Sequence, residues 1–237
     1  MRLSGKTILI TGAAGGLGSA LALQCANDGA DLVLLDKNRR GLSALSDKIT
    51  EQGLTPPGLY PMDLAGAGID DFKQLSETVK KEFGALHALV HCALEFDSLQ
   101  PLDQIEPQGW LQSIQVNVNA PWLLSCELLP LMKQAKTGRL FFMLDDIEIV
   151  TGPYWGAYGT AKAALVGLVQ QFHSSVSNTN IVVKGINPGA MRTDFRAKVY
   201  HAENPMEQPD PAIAASKIAA MLVGGISDED PLVNLST

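Results

Sequence analysis

The chain has 237 residues, 46% of them hydrophobic, and its 25 acidic against 18 basic side chains give a net charge of −7. That length accommodates one large domain with a sizeable core, and the acidic balance excludes a nucleic-acid binder, which needs dense cations to displace counterions from phosphates. Three cysteines (Cys25, Cys92, Cys126) without CxxC spacing argue for a reducing, intracellular compartment, and with four histidines they show no zinc-ligand spacing, so no zinc site is expected.

Arg2 and Lys6 ahead of ILITGAAGGLGSALAL imitate a signal peptide. Small residues from Gly12 to Gly16 break the apolar run, however, and spanning a bilayer takes roughly 18 apolar residues or more. A cytoplasmic protein with no membrane partner is expected.

Short apolar runs alternate with longer amphipathic segments. In chain order the expected strands are Thr7–Ile10, Asp31–Leu35, Gly58–Pro61, Leu86–His91, Arg139–Leu144, Ile181–Ile186 and, more weakly patterned, Leu232–Leu235. Their continuous Ile, Leu and Val content suits strands covered on both faces. Between them, Ile69, Phe72, Leu75, Val79 and Phe83 fall on one helical face, which predicts a helix over Ile69–Phe83. Another helix starts at Asp210, a cap, followed by Pro211 at the first helical position. The alternation predicts one α/β domain, a doubly wound parallel sheet of Rossmann type, with Asn204–Pro211 an insertion rather than a boundary. The helices expected at Gly156–Phe172 and Pro121–Met132 are apolar nearly all round. A helix without a polar face is buried on both sides, so a homodimer is expected through them.

The first strand runs into Thr11-Gly12-Ala13-Ala14-Gly15-Gly16-Leu17-Gly18 and then a helix. Gly12 allows a sharp turn, Gly16 a close approach of backbone to a pyrophosphate, and Gly18 tight packing of helix on strand. The helix N-terminus offers N–H groups and a positive dipole to the phosphates. Asp36 stands 18 residues after Gly18, near the ~20 expected of an acid that reads the adenosine ribose. It favours NAD and repels a 2′-phosphate, while Lys37, Arg39 and Arg40 keep NADP as the alternative. Asp63 reaches toward the adenine edge or caps a helix.

Tyr158 and Lys162 are one helical turn apart and share a face. An ammonium there lowers the phenol pKa from its usual ~10 and makes it a proton carrier for carbonyl–alcohol exchange beside a hydride carrier. With TGAAGGLG at 11–18, Asp36, Asp63-Leu64, Asn117 in VNV, YGTAK at 158–162 and Asn187-Pro188-Gly189 before Thr193, the chain resembles the short-chain dehydrogenase/reductase family over essentially its whole length. The runs WGAYGTAK and NPGAMRTDFRAK look like an uncharacterised bacterial subgroup of it.

The resemblance implies a seven-stranded parallel sheet and hydride transfer between a nicotinamide dinucleotide and a carbonyl or secondary alcohol. It assigns the acid/base to Tyr158, pKa lowering and ribose binding to Lys162, and a proton relay to Asn117. Dinucleotide contacts are implied for Gly12, Gly16, Leu17, Gly18, Asp36, Asp63, Leu64, Ala93, Tyr158, Lys162, Pro188, Gly189 and Thr193, and the segment from about 193 to 211 closes over substrate.

The sequence departs from the family in two places. His91-Cys92-Ala93-Leu94 replaces Asn-Asn-Ala-Gly, which sets a leucine beside the cofactor's backbone contacts; His91 and His87 are read as packing. Thirteen residues before Tyr158, where the family has a catalytic serine, stands Asp145. An ionised carboxylate has no proton to donate, so Asp145, carried as a substitute polar group, is expected to turn away and leave a hydroxyl to Thr151 or Tyr154. A second reading, from the same departures, is a degenerate member that binds dinucleotide without turnover.

Overall fold

The computed structural model describes residues 1–224 and 229–236. Its strands are β1 (Thr7–Thr11), β2 (Asp31–Asp36), β3 (Gly58–Pro61), β4 (Ala88–His91), β5 (Gly138–Met143), β6 (Ile181–Asn187) and β7 (Leu232–Asn234). They form one seven-stranded sheet in the order β3-β2-β1-β4-β5-β6-β7, with every pair parallel. The helices are α1 (Gly16–Asn27), α2 (Arg39–Glu51), α3 (Ile69–Phe83), α4 (Pro107–Ile114), α5 (Ala120–Gln134), α6 (Ile147–Val150), α7 (Gly156–Ser175), α8 (Asp194–Val199) and α9 (Pro211–Val223). The expected strands are all present, β3 with its expected bounds and the others with ends moved by at most two residues, and α3 has the bounds its periodicity predicts.

Alternate residues of the inner strands feed opposite layers, because successive side chains of a strand point to opposite faces. Ile8, Ile10, Leu32, Leu34, Val90 and Phe141 pack with α1, α2 and α9. Leu9, Val33, Leu35, Leu89, Leu140 and Phe142 pack with α3, α5 and α7. Both layers are apolar, so the strands read as unbroken hydrophobic runs rather than alternating ones.

The strand order reverses between β1 and β4, and in such sheets ligands bind beyond the carboxyl ends of the strands at that crevice. A third, smaller cluster sits above it: Phe96, Val150, Trp155, Tyr158 and Val199 are buried together. The segment expected as a loop over 193–211 is largely folded. Thr193 caps α8 by accepting from Arg196 N–H, Arg196 pairs with Glu203 at 2.7 Å, and Arg192 pairs with Asp210 at 2.7 Å. Helix α9 starts as predicted, with Asp210 accepting from Ala212 N–H and Pro211 in its first turn.

Candidate active site

A cavity of about 600 Å³ lies at the switch point, lined at one end by Gly12, Gly16, Asp36 and Asp63 and at the other by Asp145, Tyr158 and Lys162. The cofactor end is built from close backbone approaches. Gly12 has φ +64°, and a Cβ there would come within 2.6 Å of Ala93 Cα; the β1 turn and the chain leaving β4 touch across the crevice. A Cβ on Gly18 would overlap the Gly12 carbonyl oxygen, so α1 packs directly on the turn. Above Gly16 lies the Thr193 methyl, 2.6 Å from where a Cβ would stand, so that glycine admits Thr193 as well as any phosphate. Gly15 stands at the N-cap of α1 and offers no side-chain cap, which leaves the first N–H groups of the helix for an anion.

Asp36 is not a free carboxylate. Its oxygens accept from Ala14 N–H at 3.0 Å and Asn38 N–H at 2.8 Å, tying the glycine turn to the end of β2. Asp63 accepts from Ala65 N–H at 3.1 Å, a turn role, and it also lines the cavity. Lys37 reaches across the mouth to Glu95 at 3.0 Å. These residues fit a dinucleotide: backbone N–H groups for phosphates, a carboxylate for ribose hydroxyls, and a lysine beside it. Leu17, Leu64, Ala93, Pro188, Gly189 and Thr193 line the same cavity. Leu94 forms part of its wall, so the missing glycine is accommodated.

At the chemical end, α7 presents Tyr158 and Lys162 on one buried face, each 3% exposed. Lys162 Nζ donates to the Met143 carbonyl at 2.8 Å and stands 5.4 Å from the Tyr158 ring centroid. Burial pulls its pKa down to about 8. Tyr158 donates its hydroxyl to Asp145 Oδ2 at 2.7 Å. Burial first, then the Asp145 charge, pushes the phenol well above its ordinary range.

Asp145 therefore does not turn away; it faces Tyr158. The reason is local. Asp146 is the residue that caps α6, accepting from Glu148 and Ile149 N–H, and with that role filled the preceding carboxylate points back over the tyrosine. Thr151 spends its hydroxyl on the Ile147 carbonyl at 2.6 Å. Tyr154 is 59% exposed, at φ 73°. Neither lines the cavity, so neither supplies the hydroxyl expected of it.

Asn117 lies in a π-helical turn, Gln115–Asn119. Its amide donates to the Glu95 carbonyl at 2.8 Å and the Ser113 carbonyl at 2.9 Å, and its Oδ1 accepts from Glu95 N–H at 3.1 Å. It anchors the strand exit that carries Leu94 and Glu95. His91 is buried, stacks on Phe142 at 4.8 Å and pairs with Ser125 at 2.9 Å, and burial holds its pKa down at about 3. Packing accounts for it.

Sequence reading missed the aromatic wall. Phe96, Phe195 and Trp155 ring Tyr158, with ring centroids 5.6, 5.3 and 5.7 Å from it. These residues come from three separate connections and share no periodicity that could have joined them.

The model of the family described as short chain dehydrogenase matches residues 6–204. The chain belongs to that family and is an oxidoreductase of its type. It is 31% identical over 210 residues to the oxidoreductase YciK of Escherichia coli, covering 89% of this chain and 83% of that one. A short chain dehydrogenase structure from Pseudomonas syringae superposes with a TM-score of 0.94 at 34% identity, over 99% of this chain and 96% of that one. A Shigella flexneri short chain dehydrogenase complexed with NADP superposes with a TM-score of 0.92 at 29% identity, over 98% of this chain and 97% of that one. Among the described residues no helix is long and apolar enough to cross a membrane.

Proposed function

We propose that the protein exchanges a hydride between a nicotinamide dinucleotide and a carbonyl or secondary alcohol, with Tyr158 as the proton carrier. The observation that carries this is Tyr158 above Lys162 in the same cavity as the glycine turn and Asp36. The dinucleotide, when bound, supplies or accepts the hydride; the chain handles the proton. Lys162 holds positive charge behind the phenol, Met143 fixes it there, and the aromatic wall keeps water from the reacting carbon.

Asp36 supports NAD, and the NADP in the Shigella relative supports the phosphorylated form. We read the site as accepting both: Asp36 takes the ribose hydroxyls of NAD, and Lys37 leaves Glu95 to meet the 2′-phosphate of NADP. The protein is further read as a cytoplasmic homodimer. Trp122 on α5 is 48% exposed, and Ala163, Ala164 and Gly167 on α7 leave a small-residue surface in solvent.

Calorimetry with both dinucleotides, paired with a turnover screen over ketones and secondary alcohols, tests this reading. Tyr158→Phe keeps the ring and removes the proton, so dinucleotide affinity should persist while turnover falls roughly 10²-fold or more. Full rate in that variant would remove Tyr158 from the chemistry.

A further inference from the structure

The chemical end of the cavity is poorly matched to a plain ketone. Tyr158 carries the proton, yet its hydroxyl already donates to Asp145 Oδ2 at 2.7 Å. Asp145 Oδ1 accepts from Asp146 N–H at 2.8 Å. A ketone oxygen arriving here meets an acceptor where a donor is wanted. Whatever substrate works must draw Asp145 away from the phenol.

The surroundings indicate what could do so. Asp145 and Asp146 both line the cavity, half-buried, and the Tyr200 hydroxyl feels the charge of both. Nearby cations are already engaged. Arg196 donates twice to Glu203, at 2.8 and 2.7 Å, and lies over the Tyr200 ring at 4.3 Å. Lys198 donates to the Phe96 carbonyl at 2.7 Å. Lys162, behind the tyrosine, spends a hydrogen bond on the Met143 carbonyl at 2.8 Å. The rings of Trp155, Phe195 and Tyr200 line the same cavity, beside aliphatic residues such as Leu144 and Ile149. Negative oxygens backed by aromatic faces suit an ammonium, which forms charge-assisted hydrogen bonds to the first and cation–π contacts with the second.

We propose that Asp145 is a specificity-determining residue that selects substrates carrying an ammonium group on the carbon next to the reacting one: amino ketones and amino alcohols. This rests on the hydride-transfer reading of Tyr158 and Lys162. Two protein groups 2.7 Å apart read two substrate groups on neighbouring carbons. The ammonium takes Asp145 Oδ2, and the phenol turns to the substrate oxygen. In reduction the Tyr158 proton goes to that oxygen and is replaced from solvent. The ammonium keeps its own protons throughout, and the hydride balance is unchanged.

The test is a matched series, α-aminoacetophenone, α-hydroxyacetophenone and propiophenone, reduced by the full-length protein with reduced dinucleotide. Wild type should favour the amino ketone over propiophenone at least tenfold in kcat/KM, mostly through KM. Asp145→Asn keeps the shape and an acceptor for Tyr158 but not the charge, and should bring that ratio near one; Asp145→Ser should favour propiophenone. Phenethylamine, which has no oxygen to reduce, should bind the dinucleotide complex and lose at least tenfold in affinity in Asp145→Asn. Equal use of the hydroxy and amino ketones, an unchanged ratio in Asp145→Asn, or unchanged phenethylamine affinity would each overturn the proposal while leaving hydride transfer intact. Failure of every ketone with both wild type and Asp145→Ser would instead overturn the reading of Tyr158 on which it rests.

Discussion

At Tyr158 two neighbours act against each other. By its charge alone a Lys162 ammonium favours the phenolate, but burial and Asp145 favour the phenol and prevail, so the phenol pKa is raised rather than lowered as the spacing of the pair predicts. A phenol held neutral carries the proton that reduction consumes, although the same raised pKa makes it a weaker donor. Reduction also needs the Lys162 ammonium, whose pKa lies at about 8. Its rate should therefore fall as pH rises through about 8, and oxidation should keep climbing above that. Asp145 raises both groups. In Asp145→Ser the alkaline fall of reduction and the rise of oxidation should both move to lower pH, as read from kcat/KM profiles. A profile that does not move would mean that Asp145 sets neither titration. Glu95 is the second informative residue. It holds Lys37 at 3.0 Å and raises its pKa by that hydrogen bond. Glu95→Gln frees the lysine and removes a negative charge from the cavity mouth, so the NADP:NAD affinity ratio should rise about tenfold, ~1.4 kcal/mol. An unchanged ratio would mean Lys37 does not meet the phosphate.

At the scale of elements, the glycine turn is first of all a packing device. Gly18→Ala places a methyl against the Gly12 carbonyl oxygen, which is backbone and cannot rotate away. The variant should lose about 1–3 kcal/mol in denaturant unfolding and most of its dinucleotide affinity, because α1 must shift from the turn. Stability equal to wild type would show that the turn yields. The segment after β6 is likewise less loop than its composition suggests. A cap on Thr193, two ion pairs and the Phe96–Phe195 contact at 5.5 Å brace it over the site.

For the whole molecule, the two layers are covered unequally. Helices α1 and α9 pack closely on one face, while α5 and α7 leave Trp122, Cys126, Ala163 and Ala164 in solvent on the other. Small side chains allow helices to approach closely, which suits association with a second copy. Ala164→Arg puts a long charge there without disturbing the core. Sedimentation should show a dimer for the wild type and a monomer for the variant, with unchanged circular dichroism. A variant that still dimerises would move the interface elsewhere.

Much of this molecule is legible in its sequence alone. Strand positions follow from continuous apolar runs, α3 from its 3.6-residue period, and the cofactor turn from glycines between a strand and a helix. The pairing of Tyr158 with Lys162 follows from helical spacing. These are local features, set by neighbours within a turn or a strand. The orientation of Asp145 is not of that kind, and reading it as turned away failed because the helix-cap role fell to Asp146. Nor could spacing place Glu95 against Lys37, 58 residues apart, or gather Phe96, Trp155 and Phe195 around the phenol. Those contacts exist because the parallel sheet brings the carboxyl ends of β1, β4, β5 and β6 to one edge. Local sequence determined the framework and the pairing of Tyr158 with Lys162; only the tertiary structure decided which groups face the Tyr158 hydroxyl, because the strand order sets those distances and the chain spacing does not.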